Sequence, residues 1–397
     1  HEDVDAIFVD VDNDADLDLF VVSGGGEYKI NSQYLKDRIY LNNGNGNFSI
    51  ANDYLPDYRS NGSVVAINDV NQDGLLDIFI GTRGVSGDFA AATQAYLLIN
   101  TGFNFTLSYQ SFLTDLGMLT DAFFIDFDHD GDEDLWLVAE WSKGRMFQNN
   151  EGTFREVTNQ FFIDQPIGLW QSTAPFDIDK DGDIDLIVGN VGLNTKFSAS
   201  DKYPLKMYKI DVDQNNDDET LLAIAKDGIY YPFEDKDKLQ EQLQRFIRKK
   251  FNTYKEFAGK SMQNVFGRKV LKNAIQYEVS ELRSGFFENT KNGYRFIPFE
   301  NQLQWGPLRT MEVTNINGLD QLFVAGTKVD LPPFQGVWDS QPPMIITALD
   351  KIMWASEYGI NYFHNHIGAL KQLKDKDIDQ LLVVPHNAES KLYKFTP

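Results

Sequence analysis

The residues best suited to chemistry are carboxylates, and they recur at one spacing. Asp126, Asp128, Asp130 and Asp134 take positions 1, 3, 5 and 9 of a nine-residue stretch, with Gly131 at position 6 and Asp132 at position 7. Oxygen ligands at that density suit a hard cation. Calcium fits best, because it accepts roughly six to eight oxygens in flexible geometry. Position 6 must turn with positive φ, which glycine does without steric cost. Position 7 would add its backbone carbonyl. Asp177, Asp179, Asp181, Asp183 and Asp185 repeat the pattern around Gly182. Asp69, Asn71, Asp73, Leu75 and Asp77 repeat it around Gly74 with one amide ligand. Asp10, Asp12, Asp14, Asp16 and Asp18 place Ala15 in the glycine slot, a strain of about 1–2 kcal/mol for a left-handed residue. Asp211, Asp213, Asn215, Asp217 and Glu219 make a fifth copy turning at Asn216, a residue type that tolerates positive φ. Four or five Ca2+ ions are implied, pinning turns rather than catalysing.

The elements that hold these loops are strands. An EF-hand loop runs longer and lies between helices, whereas each loop here joins two apolar runs, such as Ala6-Ile-Phe-Val with Leu17-Asp-Leu-Phe-Val-Val. Every loop therefore closes a β-hairpin. In three copies a third strand follows and ends in Asn and Gly (Ile39-Tyr-Leu-Asn-Asn-Gly is one), and a short fourth run comes next. A repeat of this size, roughly every 50–60 residues, indicates a propeller or solenoid. The fourth copy reads as short of its outer strands. The fifth is interrupted over 235–282 by apolar residues at helical spacing (Leu239, Leu243, Phe246, Ile247, Phe251, Tyr254, Phe257), an α-helical insertion within blade five. Gly285-Phe-Phe-Glu then resumes that blade. Two last hairpins put Val313, Asn315, Asn317 and Gln321, then Gln372, Lys374, Lys376 and Gln380, at ligand positions. Neither set would hold a cation. The fold class expected is all-β, a seven-bladed β-propeller spanning 1–397 as one domain of a larger protein.

Composition narrows the partners. The chain has 397 residues, 59 acidic against 36 basic, no cysteine and a formal charge of −23. An acidic surface argues against nucleic acid, and no apolar run is long enough to span a membrane. Calcium loops in extracellular modules work at roughly 10⁻⁴–10⁻³ M, which points outside the cytoplasm. The loops with their strands resemble the FG-GAP/VCBS repeats of integrin-α-type propellers. Glu2-Asp-Val-Asp-Ala-Ile-Phe, Val22-Ser-Gly-Gly-Gly-Glu, Asp37-Arg-Ile-Tyr-Leu-Asn, Gly189-Asn-Val-Gly-Leu-Asn-Thr-Lys-Phe-Ser-Ala-Ser and Lys249-Lys-Phe-Asn-Thr-Tyr-Lys-Glu-Phe-Ala are similar to the propeller region of Bacteroidota VCBS-repeat proteins associated with ASPIC/UnbV domains. That resemblance thins after about residue 310. It implies a secreted propeller or a surface lipoprotein and no defined activity.

In a four-stranded blade the metal loops share one face, and the 2–3 turns and blade-to-blade links share the other. Candidate partner-binding residues therefore gather opposite the metals: Arg83, Glu140, Trp141, Trp170, Asn190, Trp305 and His386. Loops on a rigid scaffold are where binding residues collect. The sequence supports a binding or scaffold module for a glycan, a protein or neighbouring domains. A polysaccharide-degrading, lyase-like enzyme with Glu27 and Glu140 at the channel mouth is the alternative. The insertion carries 11 Lys or Arg against 5 Asp or Glu between 234 and 272, a basic patch on an acidic chain. His364 and His366 form an HxH pair in an expected loop.

Overall fold

The computed structural model describes residues 2–395 except 30, 86–87, 89, 92, 317, 329–330, 332–334, 361–366, 376–377 and 386–388. Strands dominate the regular structure, and the described residues form seven antiparallel sheets with a few short helices. Sheet one runs Glu2–Val9, Asp18–Gly24, Arg38–Asn42 and Phe48–Ile50, each strand beside its sequence neighbour. Sheet two repeats this with Gly62–Asn68, Asp77–Thr82, Tyr96–Asn100 and Phe105–Ser108. Sheet three has Met118–Ile125, Asp134–Ser142, Arg145–Gln148 and Arg155–Glu156, with the short Gly168–Leu169 added beside Asp134–Ser142.

Sheet four departs from expectation. Its hairpin, Ser172–Phe176 with Asp185–Gly189, is completed by Gly285–Glu288 and Arg295–Pro298, and Leu186 pairs with Phe287. The fourth unit is therefore not short, and the strands after residue 285 belong to it, not to a fifth blade. Everything between Gly189 and Gly285 is an insertion in its 2–3 connection. That insertion carries its own sheet, Ile229–Pro232, Glu219–Lys226, Leu205–Ile210 and Ile275–Val279 in spatial order. Five short helices lie between Lys236 and Asn273. Leu239, Leu243, Ile247, Phe251, Val265 and Leu271 bury against Tyr208, Leu221 and Ala223 of the inserted sheet, so the helical periodicity marks a packed face.

Sheet five (Thr310–Ile316, Leu319–Ala325, Met344–Ala348, Lys351–Trp354) and sheet six (Ile367–Asp375, Ile378–Pro385, Lys391–Phe395) end the chain. First strands of sheets one to six pack against one another in that order. The apolar cores lie between successive sheets. Phe20 and Ile39 meet Ile78 and Ile80, Phe79 and Leu97 meet Leu135 and Leu137, and Trp136 and Val138 meet Leu186 and Val188. Sheets four and five, then five and six, continue the series. A second strand is thus covered on both faces, which is why Asp77-Ile-Phe-Ile-Gly-Thr is buried along its whole length instead of alternating. Carboxylates on first strands add staples: Val65 N–H donates to Asp5 (2.8 Å) and Thr173 N–H to Asp121 (2.8 Å), each from a following sheet. Among the described residues no core cluster joins sheet six to sheet one. Val4, Phe8, Phe48 and Ile50 of sheet one stay exposed. Six sheets in series plus an inserted one replace the seven equal, closed blades expected.

Candidate metal centres and the opposite face

The five acidic loops share one backbone. Position 4 and position 6 are both left-handed in every copy: Asn13 and Ala15, Gln72 and Gly74, His129 and Gly131, Lys180 and Gly182, Gln214 and Asn216. The turn at position 6 is as the sequence predicts. The non-glycine residue at position 4 adds a strained residue per loop, costing on the order of 1 kcal/mol. The position 1 carboxylate accepts the position 6 N–H, as in Gly74 to Asp69 (2.8 Å), Gly131 to Asp126 (3.2 Å) and Asn216 to Asp211 (2.9 Å). The position 5 side chain accepts the position 7 N–H, from Asp132 to Asp130 (3.0 Å) and from Asp183 to Asp181 (3.0 Å).

Position 9 is the buried anchor. One oxygen of Asp134 accepts from Phe127 N–H (3.3 Å) and the other from Asn149 N–H (2.7 Å) at the end of the third strand. Asp77 does the same with Val70 (3.1 Å) and Asn100 (2.8 Å), and Asp185 with Ile178 (3.1 Å) and Asn289 (2.8 Å). Those asparagines were not picked out as site residues by sequence reasoning, although the recurring Asn after each third strand was the available signal. Two of them also link loops in series: Asn100 Nδ2 donates to Val11 carbonyl of loop one (3.2 Å), and Asn149 Nδ2 to Val70 carbonyl of loop two (2.9 Å).

Three loops gather their carboxylates into groups that could hold a metal ion. Ligand atoms of Asp10, Asp12 and Asp18 lie within 4.8 Å of one another, as do those of Asp126, Asp128 and Asp134 and those of Asp177, Asp179 and Asp185. Oδ1 atoms of Asp12, Asp16, Asp126 and Asp177 are buried without a hydrogen-bond partner. Buried, unpaired and crowded by like charge, such oxygens are costly unless a cation meets them. The titration of the groups agrees. Burial, opposed by the Asn149 and Phe127 N–H groups and reinforced by Asp128 and Asp130, pushes Asp134 up to about 7. Burial lifts Asp77 and Asp185 to about 6. The donor set is all oxygen, so these residues fit a hard divalent cation, calcium before zinc. Loops two and five keep the turn geometry but lack a third gathered carboxylate; Asn71 Nδ2 is turned onto Asp73 (3.0 Å).

On the opposite face the predicted partner residues do not form one open surface. Glu140 is buried and receives Arg83 (2.7 Å), Gln171 Nε2 (2.8 Å) and, farther off, Lys328 (3.8 Å). Burial works against its charge, but Arg83 and then Lys328 outweigh it and hold its carboxyl at about 2. Its charge is committed to Arg83 and Gln171. Trp141 sits half-buried at a bulge of its strand with φ 60°, a strained angle for a bulky residue. Trp170, a candidate partner-binding residue in a link, is fully buried, with Nε1 on the Ser142 carbonyl (3.0 Å). Asn190 is buried too, its Nδ2 on the Glu281 carbonyl (3.0 Å) and its own carbonyl accepting Leu308 N–H.

The inserted sheet also covers part of this face. Met207 packs with Ala90 and Met118, Tyr277 Oη donates to the Ala90 carbonyl (2.9 Å), and Lys209 pairs with Asp88 (2.6 Å). Trp305 alone of the predicted tryptophans is exposed. His386, His364 and His366 lie outside the described residues.

A family model described as FG-GAP-like repeat matches residues 10–80 and 126–188. Those two stretches contain the first four acidic loops, so FG-GAP-like repeats are present in this chain. No curated protein matches the chain. Among solved structures it is similar to the V. cholerae biofilm matrix protein Bap1, at 13% identity and a TM-score of 0.31 over 96% of this chain and 74% of that one. So low a score supports no inference about this chain.

Proposed function

We propose that the chain is a calcium-stabilised, propeller-type array of sheets, extracellular or at a cell surface, that serves as a binding or scaffold module for a glycan or protein partner. The observation that carries this reading is the set of orphaned buried oxygens on Asp12, Asp126 and Asp177, repeated in three hairpins of one form. On this reading Asp10, Asp12, Asp14 and Asp18, with their counterparts in loops three and four, each hold one ion. The amide-bearing loops two and five hold theirs more weakly, for four or five in all. The ion neutralises the crowded carboxylates and fixes the two left-handed turn residues of each loop. Neighbouring domains of a longer, VCBS-type surface protein are the third class of partner. A lyase at the channel mouth is disfavoured, because the inserted sheet lies over that region and Glu140 is committed to Arg83.

Calorimetric titration of the metal-free chain with CaCl2 tests the proposal. Four or five sites near 10⁻⁴–10⁻³ M are expected for an extracellular module. No heat of binding at 10 mM, roughly ten times the weak end of that range, would remove it.

A further inference from the structure

The tryptophans divide by exposure. Trp136, Trp170 and Trp338 are buried, whereas Trp305 and Trp354 are 41% and 38% exposed. These two come from a link and a strand almost fifty residues apart yet lie side by side, ring centroids 5.7 Å apart and planes inclined at 42°. With Ser340, Pro342, Pro343, Ser356 and Ile360 they line a cleft of about 380 Å³. Trp305 lies in the link from sheet four to sheet five, Pro342 and Pro343 end the 2–3 connection of sheet five, and Trp354 ends its fourth strand. All three places are on the face opposite the acidic loops.

Their exposure is built in. Leu303 and Gln304 on one side of Trp305 are buried, and Gln304 Nε2 donates to the Ser284 (2.8 Å) and Phe299 (3.0 Å) carbonyls. Trp305 N–H itself donates to Gln341 Oε1 (3.2 Å), and the buried Gln341 returns Nε2 to the Gln302 carbonyl (3.2 Å). Across the cleft Ala355 N–H donates to the Pro343 carbonyl (3.1 Å), tying the end of the Trp354 strand to the far wall. The indoles are thus held outward on pinned backbone, and little ordering is left for a ligand to induce.

We propose that this cleft is a binding site for a neutral glycan, one or two pyranose rings at a time. The inference rests on the binding-module reading but not on its calcium. Among the described residues no Lys, Arg, Asp or Glu lines the cleft in a chain that is 24% charged, which favours a neutral ligand. Two rigid indole faces offer apolar platforms for the C–H face of a sugar ring. Ser340 and Ser356 place hydroxyls, donor and acceptor both, beside them for the sugar hydroxyls. A pocket that is mostly apolar with a few polar groups is the usual form of a small-ligand site.

A printed array of neutral glycans, followed by calorimetry with the best hexasaccharide and with decaproline as rival, tests this. The expected result is binding of at least one neutral class with a change in tryptophan fluorescence. Trp305→Ala and Trp354→Ala should each weaken it about tenfold or more, and Trp354→Phe should retain most of it. Melting temperature and calcium stoichiometry of the variants are measured alongside, and a variant that loses either is replaced by its Phe counterpart. A blank array or binding of decaproline alone overturns the proposal. Glycan binding untouched by all the variants also overturns it, while leaving the chain a binding module whose site lies elsewhere.

Discussion

Sheets one to four and sheets five and six share a meander but close their first hairpin in two ways. In sheets one to four eight residues intervene, crowded with carboxylates and twice left-handed. In sheets five and six the strands pair down to Ile316 with Leu319 and Asp375 with Ile378, leaving two positions for the connection. Asn-Gly, the pair at 317–318, is the favoured composition for a two-residue hairpin turn, and Gly318 has φ 77°. The expected long, empty loops are therefore short turns. The difference teaches that the hairpin itself can close without a ligand loop, whereas the long loop gathers charge and leaves oxygens unpaired that a cation could meet.

The largest expected effect is on the whole molecule. If the long loops are held by calcium, excess EDTA should lower the melting temperature by about 10 °C or more, since several sites lose their linkage contribution together. Hydrogen exchange makes the comparison local. Protection should fall in Asp18–Gly24, Asp77–Thr82, Asp134–Ser142 and Asp185–Gly189 and hold in Leu319–Ala325. Equal loss in both groups would break the distinction.

Position 9 sharpens it at one residue. Asp134→Ala removes the acceptor for two backbone N–H groups as well as a ligand, and should cost about 3–5 kcal/mol by denaturant melts. Gln321 stands at the corresponding place in sheet five, buried, with Oε1 unpartnered. Gln321→Met should therefore be neutral or slightly stabilising. A matching loss at both positions would mean that the buried polar group, not the loop, is what matters.

How far the sequence revealed this follows from range. Ligand spacing and turn residues are local, so the acidic loops and the left-handed Ala15 and Asn216 were readable residue by residue. Partner strands are not local. The hairpin at 205–226 imitates a fifth blade because it carries the same loop, and only the pairing of Leu186 with Phe287, across the whole insertion, shows that sheet four continues beyond it. The packing around Trp170 is hidden in the same way: its neighbours Phe287 and Phe296 arrive from more than a hundred residues downstream.

A smaller effect is expected with pH. Asp121 and Asp5, on first strands away from the loops, are pushed up by burial to about 7 and about 6, against an ordinary value near 4. Between those limits the folded chain binds more protons than the unfolded one, so stability falls as pH rises from about 4 to about 7. In EDTA the urea midpoint should drop over that range, and Asp121→Asn should flatten the slope. With calcium present the trend should weaken or reverse, because loop carboxylates such as Asp134 must be ionised to bind. An identical slope with and without calcium would count against the ions.

The smallest effect lies in the short turn. Asn317→Ala should leave calcium stoichiometry unchanged, since that hairpin has no room for a ligand loop between Ile316 and Leu319. Gly318→Ala places a Cβ at φ 77°, in open space but in the wrong backbone region, and should cost about 1–2 kcal/mol. Gly131→Ala in a long loop faces a similar angle, φ 96°, and open space as well. Its cost should appear in two parts, a comparable loss of stability in EDTA and a further loss of calcium affinity. Gly318→Ala should give the first part alone, with calorimetric calcium binding the same as in the parent chain.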